Sequence, residues 1–219
     1  MKKFSILVLV VFIFAGAANA QLRFGIKGGA NFSSLSTPSS EIDQVKAATN
    51  YQAGVLMQVK LGAFAIQPEI LYSMKGSDLQ NATESAKLKE ILGSDFSSLK
   101  YETQTIDVPI NLQLGKDFGP ARVYLQAGPY FSFLVGAALD GDVATYDKVD
   151  KELKFNNFDW GIGMGLGAEL GSLQLSVKYD FGMTPVGDKT ITSSQYNINM
   201  NPFYEMKNRN LNVSLAYLF

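Results

Sequence analysis

Eight stretches of this chain alternate apolar and polar residues with a period of two, and that pattern removes most of the folds open to it. A helix repeats its faces every 3.6 residues, a strand every two. The stretches cover residues 22–32, 51–61, 64–74, about 101–114, 121–134, 160–170, 173–183 and 210–219. Each is about the length of a strand that crosses a bilayer at a tilt. In the first, Leu22, Phe24, Ile26 and Phe32 share one side while Arg23, Lys27 and Asn31 share the other. In the seventh, Leu175, Val177, Tyr179 and Phe181 oppose Gln174, Ser176, Lys178 and Asp180. An even number of such strands suits a closed antiparallel barrel. The expected fold is all-β: an eight-stranded antiparallel up-and-down transmembrane β-barrel occupying residues 21–219.

The connections alternate as well. Gly62-Ala63, the stretch from Gly115 to Pro120, and Gly171-Ser172 are short, whereas residues 33–50, 75–100, 135–157 and 184–208 are long and polar. Short turns at one rim and long loops at the other are the habit of outer-membrane barrels, with turns in the periplasm and loops outside. Both termini then lie in the periplasm. Aromatic residues on the apolar face gather accordingly. Phe32, Tyr51, Tyr72, Phe131, Phe133, Phe158, Trp160, Tyr179 and Phe181 fall at the long-loop end, and Phe64, Phe118, Tyr217 and Phe219 at the short-turn end. Two aromatic girdles with aliphatic residues between them match two membrane interfaces.

A small barrel fills its own interior with side chains. By parity that interior receives Arg23, Lys27, Lys60, Arg122 and Lys178 together with Glu69, Asp107, Asp159, Glu169 and Asp180. Buried charge is tolerated when paired and hydrogen-bonded, so the equal numbers imply a structural salt-bridge network. A charged catalytic or ion path is the competing reading. The same parity explains Trp160 to Leu170, where Gly161, Gly163, Gly165 and Gly167 occupy every second position. A dinucleotide loop would need a third glycine where Leu166 stands, and a membrane helix would need about twenty apolar residues. A strand with a bare inner face remains, leaving room for Arg122, Tyr124, Gln126 and Tyr130 of the preceding strand. Pro68, Pro109 and Pro129 interrupt the strands; since proline donates nothing to a ladder, β-bulges are expected beside them.

Residues 1–20 read as a cleaved secretory signal: Met1, Lys2 and Lys3, an apolar run from Phe4 to Gly16, then Ala18-Asn19-Ala20. The chain has no Cys, which excludes disulfides, thiolate metal sites and a lipidated cysteine. Of its 19 basic residues two fall in the leader, leaving 17 against 20 acidic ones. That balance is opposite to a nucleic-acid binder's. No stretch beyond the leader is long and apolar enough for a membrane helix. Asn81 to Gly93 reads as a short capped helix within a loop, Ser40 to Asp43 as the start of a similar turn, and Asn81-Ala82-Thr83 as a chance glycosylation sequon.

GIKGGANFS near the start of the barrel, QPEILYSMKG, YETQTIDVPINLQ, AGPYFSFLVGA and a last strand ending in Phe219 together resemble the PorT-like outer-membrane β-barrel proteins of Gram-negative bacteria. The resemblance implies delivery to the outer membrane, with Phe219 similar to the terminal aromatic that the barrel-assembly machinery reads. It implies no activity.

The chain has no His, which removes the usual base at neutral pH and the commonest metal ligand. Neither an enzyme nor a bound cofactor or metal is expected. Function then falls to the loops. One class is a structural or interaction protein, embedded in outer-membrane lipid and meeting an extracellular or periplasmic protein partner. The other is a small-solute transport, secretion-associated or lipid-active barrel. A soluble carrier barrel would turn the apolar face inward around a ligand and leave the ionic face wet.

Overall fold

The computed structural model describes residues 21–36, 45–80, 98–141, 156–185 and 206–219. The expected leader, the loop helix at 81–93 and the turn at 40–43 lie outside them. The strands are β1 (Gln21–Ser36), β2 (Val45–Leu61), β3 (Phe64–Gln80), β4 (Ser98–Phe118), β5 (Ala121–Gly141), β6 (Phe158–Leu170), β7 (Leu173–Pro185) and β8 (Lys207–Leu218). Each pairs antiparallel with the next, and β8 returns to β1 to close the barrel. Closure leaves no edge, which is what a sheet in hydrocarbon requires.

Chain reversal at the short-turn rim depends on three glycines. Gly62, Gly119 and Gly171 each open a two-residue turn with φ near +60°, the left-handed region that a tight hairpin demands and side-chain-bearing residues avoid. The turn after β4 is Gly119-Pro120, shorter than the stretch from Gly115 to Pro120 that the alternation suggests, because the strand keeps pairing as far as Phe118↔Ala121.

The two faces separate as the alternation requires. Trp160, Ile162 and Met164 are 45%, 42% and 52% exposed on the outer wall, whereas Arg122 and Glu69 are 2% and 1% exposed inside. Phe24, also exposed, adds to the aromatic residues of the short-turn end, its carbonyl accepting a hydrogen bond from the Phe219 amide. Apolar residues inside are few, with Leu56, Ala216 and Leu218 forming a small cluster. Polar contacts therefore dominate the interior.

The prolines correct one expectation. Register shifts occur at Ala47/Gln52, Gln104/Thr105 and Phe181/Pro185, all toward the long-loop end and none beside Pro68, Pro109 or Pro129. Around those three prolines the register runs on unshifted. The β3–β4 ladder instead omits pairs between Pro68↔Ile110 and Leu71↔Asp107, and the β4–β5 ladder omits them between Pro109↔Tyr130 and Leu112↔Ala127. Skipping pairs keeps every side chain on its proper face, which one inserted residue would not.

Candidate functional site

The polar interior concentrates the chemistry, and the pleat builds it in levels. Nearest the short turns, Glu169 of β6 faces Arg122 of β5 and Gln174 of β7 across the ladder. Its carboxylate accepts from Arg23 Nη2 at 2.9 Å, Arg122 Nη1 at 3.4 Å and Gln58 Nε2 at 2.7 Å. Amides from four strands tie the rest together: Gln113 donates to Gln67 at 2.9 Å, and Gln67 and Gln174 exchange hydrogen bonds of 3.0 and 3.1 Å. Arg122 also donates to the Ala63 carbonyl in the first turn. Two guanidinium groups, one carboxylate and four buried amides thus occupy the lumen at this depth.

At mid-depth Lys27 meets both oxygens of Glu69, at 3.0 and 2.8 Å, and Gln67 and Asn111 donate to the same carboxylate. Lys178 pairs with Asp180 at 3.2 Å, and Asn212 donates to that aspartate. Toward the long loops Lys75 pairs with Asp107 at 2.9 Å. Asp159 accepts from the Tyr130 hydroxyl, the Asn208 amide and the Thr184 backbone. Between these groups lies a cavity of about 30 Å³, lined by Lys75, Thr103, Thr105, Ser132 and Asp159 among others. That volume holds about one water molecule.

Of the ten ionic residues expected inside, Lys27, Glu69, Asp107, Arg122, Glu169 and Lys178 are buried and Arg23, Lys60, Asp159 and Asp180 are partly exposed, and they do not all pair with one another. Arg23 and Arg122 share Glu169, Lys27 holds Glu69, and Lys178 holds Asp180. Lys60 pairs instead with Asp117 at 2.7 Å near the short-turn rim, and Asp107 with Lys75. Among the described residues, the donors to Asp159 are neutral. The ten-residue network is therefore incomplete without Lys75 and Asp117. Lys75 was legible: it continues the inward parity of Glu69, Leu71 and Ser73 one step beyond the expected strand end.

The glycine strip is filled from both sides. A Cβ at Gly161 would meet the Tyr130 ring and one at Gly167 the Tyr124 phenol; at Gly163 and Gly165 it would meet Lys178 and Asp180, or the backbone, of β7. The tyrosines are those the alternation points to; the contribution of β7 is additional. Phe219 ends the chain with its ring on the outer wall, 5.6 Å from that of Tyr217.

One trio has the elements of a nucleophile. Ser132 Oγ accepts from Lys75 Nζ at 3.1 Å and donates to Asp107. A serine–lysine dyad needs a neutral amine, yet the carboxylate of Asp107 lies beside this ammonium. The trio is an ion pair with a bridging hydroxyl. Among the described residues no group of three or more His, Cys, Asp or Glu side chains could hold a metal ion.

The profile of the outer membrane protein beta-barrel domain matches residues 14–188. Solved structures similar to this chain include Neisserial surface protein A, at 12% identity over 90% of this chain and 97% of the other, with a TM-score of 0.45. A major outer membrane protein from Thermus thermophilus gives 14% identity, 90% and 99% coverage and a TM-score of 0.43. Ail, the attachment invasion locus protein of Yersinia pestis, solved with the heparin analogue sucrose octasulfate, gives 8%, 91% and 99%, and 0.43. No curated protein sequence matches the chain. With most of its length matched, the chain belongs to the outer membrane protein beta-barrel domain family.

Proposed function

We propose that this protein is a structural and interaction barrel, a non-catalytic anchor in outer-membrane lipid that presents its long connections to a protein partner. The observation that carries the reading is the clamp on Glu169, which draws side chains from β1, β2, β5 and β7 into the lumen. Solute passing there would have to break several charge-assisted hydrogen bonds in a low-dielectric wall. A barrel so filled spends its interior on rigidity and leaves recognition to the connections.

The finer assignments belong to the same reading. The short turns and both termini face the periplasm, the four long connections face outward, the motifs around Pro68, Pro109 and Pro129 resemble those of the PorT-like barrels, and Phe219 serves as the signal to the barrel-assembly machinery. The absence of cysteine makes orientation simple to test. A cysteine introduced by Thr83→Cys is expected to react with an impermeant maleimide on intact cells, and one introduced by Ala63→Cys only after the outer membrane is opened. The reverse pattern would invert the barrel. Reconstituted in planar bilayers, the purified protein is expected to show no discrete conductance steps. Regular steps would overturn the anchor in favour of small-solute transport.

A further inference from the structure

Among outward-facing positions with described side chains, ionic residues are few: Glu102, Lys116, Lys207 and Arg209. Two of the three cations stand together. Lys207 and Arg209 occupy successive outward positions on β8, and across the β1–β8 ladder they face Ser36 and Ser34. Cross-strand neighbours are about 5 Å apart and alternate residues on a strand about 7 Å apart, so two cations and two hydroxyls form a compact four-cornered patch. The next outward positions below, Leu211 and Phe32, pair with each other, and Tyr179 pairs with Leu211 from the other side. The patch therefore sits at the upper limit of the aromatic girdle, where hydrocarbon gives way to headgroups.

Arg209 is held in place. Its Nη1 donates to the carbonyls of Gly182 and Asn208 at 3.0 Å each, and its guanidinium lies 5.6 Å from the centre of the Phe181 ring. These contacts by themselves make Arg209 a filler for carbonyls at the β7–β8 register shift. They explain neither Lys207, which has no carboxylate partner among the described residues, nor the two serines. An acceptor with several oxygens and negative charge would satisfy all four groups.

We propose that Lys207, Arg209, Ser34 and Ser36 bind the phosphate of a glycolipid headgroup in the leaflet around the long-loop rim. The assignment rests on that rim facing outward, which the cysteine labelling tests separately. The probe is diphosphoryl lipid A, titrated into the detergent-solubilised full chain and followed by native mass spectrometry. Each surface cation near an anionic headgroup layer is worth about fivefold in affinity. Lys207→Gln is thus expected to weaken retention about fivefold, and Lys207→Gln with Arg209→Gln about 25-fold. Lys116→Gln, at the opposite rim, is expected to change it less than twofold. Lys207 makes no hydrogen bond to another strand's side chain among the described residues, so its variant is expected to fold, with the gel shift on heating as the check. Equal retention by the Lys207 variant, equal retention of lipid A stripped of phosphate, or displacement by millimolar inorganic phosphate would each overturn the proposal. Labelling that reversed the barrel would remove the glycolipid as occupant on separate grounds.

Discussion

At the scale of single residues, the interior is governed by volume and by paired charge. Gly167 has no room for a side chain, because a Cβ there would run into the Tyr124 phenol. Gly167→Ala is expected to destabilise the barrel by about 1–3 kcal/mol. Tyr124→Leu in the same chain should recover part of the loss, though the Leu175 carbonyl also lies close. A double-mutant cycle in urea measures that coupling, and purely additive effects would show that the ring is not the obstacle. Glu169 poses the opposite problem. Glu169→Gln leaves the buried Arg122 and the partly buried Arg23 around a neutral amide, which is expected to cost about 3 kcal/mol, read as a lower unfolding midpoint in lipid vesicles. Parity alone places Glu169 inside, since a strand offers only two faces. Its gathering of Arg23, Arg122 and Gln58 was not legible, because those groups come from β1, β5 and β2 and meet only when the sheet closes.

At the scale of strands, alternation marks where a strand lies in lipid and falls silent where it leaves. β3 continues from Met74 through Lys75, Gly76, Ser77 and Asp78, and β5 from Leu134 to Gly141. Beyond the girdle the two faces need not differ, both being small or polar in β3 and both mostly apolar in β5, so the period of two fades and the apparent strand ends too soon. Lys75 lies one step past that apparent end, although the parity of Glu69, Leu71 and Ser73 still reaches it. The prolines produce a different irregularity, a seam of skipped ladder pairs running from β2 through β3 and β4 to β5. Amides in this seam have weaker ladder support than those nearer the short turns. The amides of Val108, Ile110 and Asn111 are therefore expected to exchange with deuterium faster than those of Leu112, Gln113 and Leu114 on the same strand. Uniform protection along β4 would mean that the seam is closed in the membrane.

At the scale of the whole molecule, barrel closure and the proposed delivery signal both involve Phe219, and they can be separated. The Phe219 amide donates to the Phe24 carbonyl at 2.7 Å, extending the β1–β8 contact beyond Gly25↔Leu218. That bond belongs to the backbone. The ring itself is 69% exposed on the outer wall and touches Tyr217 edge-on, so it contributes little to closure. Phe219→Ala keeps the backbone donor and removes only the ring. Folding of the purified chain into detergent micelles is then expected to persist, at a cost of about 2–3 kcal/mol for the ring's transfer out of water and its contact with Tyr217. If the assembly machinery reads the ring as an element of its signal, the same variant should reach the outer membrane several-fold less efficiently in cells, with unfolded chain accumulating in the periplasm. A variant that fails equally in micelles and in cells would assign the ring to closure, and one that succeeds in both would leave Phe219 without a role in delivery. Only loss in cells with normal folding in micelles fits a terminal residue whose side chain the finished barrel barely uses.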